Sequence, residues 1–96
     1  PLPKFDVEKR DFAFVVDSSR TCEEIENAIR EACPYITSVE LFDVYEGAQV
    51  LTGMKSMAFS VVFTPTDHAF KDSEIEGFVE EILKELKVRT GAVLRA

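Results

Sequence analysis

Residues 10–18, RDFAFVVDS, alternate with the two-residue period of a strand: Phe12, Phe14 and Val16 share one side, Asp11, Ala13, Val15 and Asp17 the other. This predicts a strand with one strongly apolar face. At Thr21-Cys22-Glu23-Glu24 the pattern changes to a capping box, in which the threonine hydroxyl accepts from the backbone three residues on and Glu24 reaches back. Cys22, Ile25, Ala28, Ile29, Ala32 and Cys33 then recur at helical spacing, and Pro34 ends the predicted helix.

Residues 36–45, ITSVELFDVY, are strand-like in composition, with Gly47 opening a loop. Apolar side chains lie on both sides of this strand, so its facing stays open, and a bulge would turn its later residues over. Residues 55–64 carry the clearest alternation, with Met57, Phe59, Val61 and Phe63 opposite Ser56, Ala58, Ser60 and Val62. Pro65-Thr66-Asp67 predicts a turn, and Asp72 the N-cap of a second helix with Ile75, Phe78, Val79, Ile82 and Leu86 on one stripe. Lys84, Lys87 and Arg89 suit its C-terminal dipole and Gly91 a left-handed cap, leaving residues 92–95 as a short last strand. The order βαββαβ predicts an α+β, ferredoxin-like fold. Right-handed crossovers put both helices on one face of a four-stranded antiparallel sheet and leave the other face open.

The 96 residues fit one domain, 1–96, with 46% hydrophobic residues and eight phenylalanines to build a core. The chain opens at Pro1 and runs almost directly into a strand, and is read as a fragment of a longer polypeptide. It has no apolar run near the roughly 18 residues of a membrane span and no signal-peptide pattern, which points to the cytoplasm. Cys22 and Cys33 lie roughly 16 Å apart along one helix axis, too far for a disulfide, and read as reduced core thiols. The single histidine, His68, lies in a predicted turn without a second ligand at metal spacing and reads as a solvated loop residue. Neither a phosphate-binding loop nor a nucleophile beside a base is present, so the domain is expected to be non-catalytic, without a metal or cofactor of its own.

A net charge of −7 works against binding nucleic acid through phosphates, so any RNA contact must be local, by stacking and base-edge hydrogen bonds. Residues 41–47, LFDVYEG, followed by Lys55-Ser56, hold the informative chemistry. Asp43 and Tyr45 are two apart and share a face, and hairpin pairing brings Ser56 close to them. An exposed ring is a platform for an unstacked base, and a carboxylate beside it can accept from the two donors on guanine's Watson–Crick edge. In the plainer reading Tyr45 covers the sheet end, Asp43 caps a turn and Ser56 is merely small. A small-molecule-sensing or protein-interaction module on the same fold is the alternative function.

Lys4-Phe5, residues 9–17 (KRDFAFVVD), residues 39–45 (VELFDVY) with Gly47, residues 55–59 (KSMAF), residues 72–75 and the closing residues 91–95 (GAVLR) together resemble a known family. It is the C-terminal ferredoxin-fold anticodon-binding domain of bacterial-type phenylalanyl-tRNA synthetase beta subunits. The resemblance implies tRNA(Phe) as partner, with the first anticodon guanine stacked on Tyr45 and bonded by Asp43 and Ser56. Ala13, on the adjacent strand, lets the RNA approach closely. It further implies a parent phenylalanine-tRNA ligase, a heterotetramer with an alpha subunit that uses ATP and magnesium outside this domain and binds neither DNA nor a membrane. Asp6, Glu46, Ser60 and residues 69–72 (AFKD) depart from the family pattern, and lost positive charge near the site weighs against direct phosphate contacts.

Overall fold

The structure is a computed structural model that describes residues 4–95. The alternating first segment forms β1 (Glu8–Asp17), two residues longer at its start than its pattern predicts. Thr21 caps α1 (Cys22–Ala32) with a complete capping box, its hydroxyl accepting from the Glu24 N–H at 3.1 Å. The helix stops at Cys33, whose extended backbone leads into Pro34. β2 (Ile36–Tyr45) and β3 (Met54–Phe63) form a hairpin, followed by α2 (Asp72–Thr90) and a two-residue β4 (Val93–Leu94). Gly91 ends α2 in the left-handed region at φ 75°, and its N–H donates to the Lys87 carbonyl.

The predicted N-cap of α2 is corrected: Lys71 occupies that position and Asp72 is the first helical residue. An ammonium has no lone pair to offer a backbone N–H, so only the reciprocal half of a capping box forms, with Glu74 Oε1 accepting from the Lys71 N–H at 3.0 Å. Asp72 and Glu74 in the first turn still complement the helix dipole.

The strands pair antiparallel in the order β2-β3-β1-β4, giving the ferredoxin-like βαββαβ arrangement. One sheet face packs against both helices: Phe12, Phe14, Val16, Met57, Phe59, Val61 and Phe63 join Ile25, Ala28, Ile29, Ile82 and Leu86 in one buried cluster. Phe14, Phe59 and Phe63 are fully buried, and each such side chain stabilises the fold by about 2–3 kcal/mol relative to exposure. Tyr35, Phe63, Phe70 and Phe78 extend the cluster with ring centroids 5.1–5.5 Å apart, pinning the β3–α2 connection to the core. Cys33 is buried and Cys22 partly so, both as free thiols, and burial pushes both thiols up from their ordinary range. The alternation that fills this face with phenylalanine leaves Ala13, Val15, Ser56, Ala58 and Ser60 on the opposite, uncovered face.

Candidate functional site

The facing of β2, open from its pattern, is settled by its pairing with β3. Val39 pairs with Val61 and Leu41 with Phe59, which places both on the helix side. The register then shifts between Leu41 and Asp43: the next pairs are Asp43 with Ala58, Val44 with Met57 and Tyr45 with Ser56. Phe42 is the extra residue of a β-bulge and stands 57% exposed. Because side chains alternate, an uninterrupted strand would put Asp43 and Tyr45 on the same side as Val39 and Leu41, beneath the helices. The bulge turns them out onto the uncovered face.

Two adjacent rows then cross the sheet on that face. One runs Val93, Val15, Ser56, Tyr45, and the next runs Ala13, Ala58, Asp43. All four residues singled out from the sequence, Ala13, Asp43, Tyr45 and Ser56, are thus neighbours on one surface. Their exposures differ. Asp43 is exposed, Tyr45 and Ala13 are half-buried, and Ser56 is only 4% exposed, so its hydroxyl lies in the floor between Val15 and Tyr45. Ala13, Ala58 and Ser56 make this floor shallow, so a flat group can come close to the backbone.

The Tyr45 ring is held on two sides. A Cβ on Gly47 would lie 2.5 Å from the Tyr45 hydroxyl oxygen and 2.7 Å from Cζ, so the ring tip occupies the space a side chain would need. The Arg95 guanidinium carbon lies 5.4 Å from the ring centroid, within cation–π range. Arg95 is fixed by its backbone N–H donating to the Ala13 carbonyl at 2.6 Å and by Nη2 donating to Gln49 Oε1 at 2.9 Å. Sequence reasoning had no role for Gly47 beyond opening a loop and overlooked Arg95 and Gln49 as site residues. A glycine two positions after a tyrosine at a strand end was a usable signal; Arg95 stood in the closing motif of the resemblance, but its spacing from Tyr45 gave no hint that the two meet.

Acidic groups dominate the remainder of this face. Lys9, Asp11, Glu40, Phe42 and Ser60 line a shallow cleft of about 250 Å³ farther along the sheet, and Glu46 follows Tyr45. The larger groove, about 580 Å³, lies instead beside α2, between Arg10, Asp72, Ile75 and Val79.

His68 is exposed, as expected, but is clasped between Asp67 on Nδ1 and Glu74 on Nε2, each at 2.8 Å. Hydrogen bonding to Glu74, then to Asp67, raises its pKa above the ordinary 6.5. Among the described residues no group of three potential metal ligands forms around it or elsewhere.

The family model of the ferredoxin-fold anticodon binding domain matches residues 3–95. The chain is 41% identical over 96 residues to the phenylalanine–tRNA ligase beta subunits of Halalkalibacterium halodurans and Moorella thermoacetica, covering 99% of this chain in each case. It is 39% identical over 95 residues to that of Dehalococcoides mccartyi. The chain spans about 12% of the length of these relatives. With a match from end to end of the described fold, and four strands and two helices in the ferredoxin-like order, this chain belongs to the ferredoxin-fold anticodon binding domain family.

Proposed function

We propose that this chain is one recognition domain of a longer phenylalanine–tRNA ligase beta subunit and reads the first anticodon base of tRNA(Phe). Tyr45 offers the ring face turned away from the Arg95 guanidinium to the splayed-out base. Asp43, exposed in the adjacent row, accepts hydrogen bonds from the N1–H and N2–H groups that guanine carries on its Watson–Crick edge and that adenine, cytosine and uracil do not present together. Ser56 serves from the floor, and Ala13 keeps the floor low enough for the base to settle. The chemistry of aminoacylation, with its ATP and magnesium, belongs to other segments and to an alpha subunit, and the whole enzyme works in the cytoplasm. Among the described residues, no helix is long and apolar enough to cross a membrane.

The observation that carries this reading is the bulge at Phe42, which brings an aromatic ring, a carboxylate and a hydroxyl to the sheet face that no helix covers. Such a face suits a flat, extended polymer. A sensor of small molecules would use an enclosed pocket, whereas the cavity of about 580 Å³ beside α2 is an open groove on the helix side.

The test is made in the complete enzyme. Removing the stacking ring by Tyr45→Ala is expected to cost about 1–3 kcal/mol in tRNA use, roughly a 5- to 150-fold loss in kcat/KM for tRNA, with amino-acid activation by ATP unchanged. Asp43→Ala is expected to lose discrimination between the natural tRNA and tRNAs altered at the first anticodon base. Equal discrimination by the Asp43→Ala and unmodified enzymes would overturn the guanine-reading role of that carboxylate.

A further inference from the structure

We propose that Arg95 is a phosphate-contacting residue of the anticodon site, placed at its edge by the Tyr45 ring and Gln49. This deepens the anticodon-reading proposal above and rests on it. The domain is acidic overall, and its arginines are mostly neutralised: Arg10 pairs with Glu8, Arg20 with Glu24, Arg30 with Glu26, and Arg89 with Glu31 and Glu85. Among the described residues Arg95 has no carboxylate partner. Its neighbours are a neutral amide oxygen, Gln49 Oε1 at 2.9 Å, and the Tyr45 ring, whose centroid is 5.4 Å from its guanidinium carbon.

Those neighbours orient the cation without cancelling its charge. A guanidinium carries five N–H donors in one plane. One is used on Gln49, and the remainder stay available beside the ring on which the base would stack. The backbone bond from Arg95 to Ala13 fixes where the side chain leaves the sheet, in the row that also holds Ala58 and Asp43. A base stacked on Tyr45 is joined through its sugar to a phosphate on either side, so the RNA backbone must pass the edge of the stacked pair. A planar, permanently charged donor held there matches a phosphate in both charge and geometry. Asp11, Glu40, Asp43 and Glu46 outnumber Lys9 on the surrounding surface and make it repel phosphates, so a cation held beside Tyr45 changes the local field where it matters.

The experiment measures tRNA(Phe) affinity of the complete enzyme from about 50 to 200 mM salt for the unmodified form, Arg95→Gln, Arg95→Lys and Tyr45→Ala. A phosphate contact predicts that Arg95→Gln weakens binding several-fold at low salt and flattens the log–log salt slope by about 0.7–1. Arg95→Lys keeps the charge and therefore most of the slope. An Arg95→Gln enzyme with an unchanged slope would show that Arg95 only braces Tyr45 and the β2–β3 loop, and would overturn the proposal whether or not affinity falls. A loss that disappears with tRNA altered at the first anticodon base would assign Arg95 to the base edge and also overturn it. The underlying reading fails separately: if Tyr45→Ala binds and charges tRNA like the unmodified enzyme, no anticodon site exists at this face. Tyr45→Ala losing tRNA use while Arg95→Gln leaves the slope intact defeats only the phosphate contact.

Discussion

Gly47 shows how much of the site depends on an atom that is missing. No left-handed backbone angle requires glycine there: the positive-φ glycines among the described residues are Gly53 and Gly91. What requires it is the phenol tip of Tyr45, which fills the volume of a Cβ. Gly47→Ala is therefore expected to displace the ring while costing the fold under about 1 kcal/mol, since an exposed alanine is otherwise acceptable in a loop. The check is a paired measurement: thermal melting within a few degrees of the unmodified domain, and tRNA use by the complete enzyme reduced towards that of Tyr45→Ala. A substitution that left tRNA use unaltered would mean the ring position seen here does not matter to binding. The residue types of the site were legible in the sequence, because a tyrosine and an aspartate two apart on a strand must share a face. What kept Arg95 and the purpose of Gly47 out of view is that both act through the position of one ring, which spacing along the chain does not encode.

Element bounds were read closely, β2 to the residue, but a facing that depends on a partner strand was not. Thr21 and Glu24 fix the start of α1 within one turn, and Gly91 fixes the end of α2. The β2 bulge at Phe42 carries no such mark: Leu41-Phe42 is simply two apolar residues. It becomes visible only on pairing, where β2 takes four steps from Leu41 to Tyr45 while β3 takes three from Phe59 to Ser56. The N-cap of α2 failed for the opposite reason, because a good capping residue at Asp72 stands one position inside the helix. That helix start has a second support in the His68 clasp, which ties the β3–α2 connection to Glu74 in the first turn.

The clasp makes this element boundary sensitive to pH, and the sign follows from the directions of the shifts. The folded pKa of His68 is raised, by its bonds to Glu74 and then Asp67, so its stabilisation is fully present below the ordinary 6.5 and fades as pH rises through the folded value. Glu74 is shifted down, first by the Lys71 backbone N–H and then by His68, so its share is present above the ordinary 4.5 and is lost in acid. His68→Gln keeps a polar side chain but removes the charge. It is expected to lower the melting temperature of the domain more at pH 5.5 than at pH 8.5. An equal drop at both pH values would show that the imidazolium contributes nothing beyond a neutral hydrogen bond.

At the scale of the whole molecule, the site and the net charge oppose each other. The fold class was legible because six periodic segments in one order admit few topologies, and the open face followed from the handedness of the crossovers. A net charge of −7 then sets what that face can do alone. Full-size tRNA binding with 6–10 phosphate contacts would lose 10³–10⁵ in affinity between about 50 and 200 mM salt. If its attraction rests, as proposed, on one stacked base, its bonds to Asp43 and the Arg95 guanidinium, the domain has about one such contact to lose. The isolated chain is therefore expected to bind tRNA(Phe) weakly, with affinity falling only about threefold over that fourfold rise in salt. Titrating the isolated domain and the complete enzyme side by side checks this: a steep salt dependence is expected only of the complete enzyme, and a preference for guanine at the first anticodon position is expected of both. Tight binding by the isolated domain at low salt, collapsing as salt rises, would mean that several phosphates are held here and would overturn this expectation.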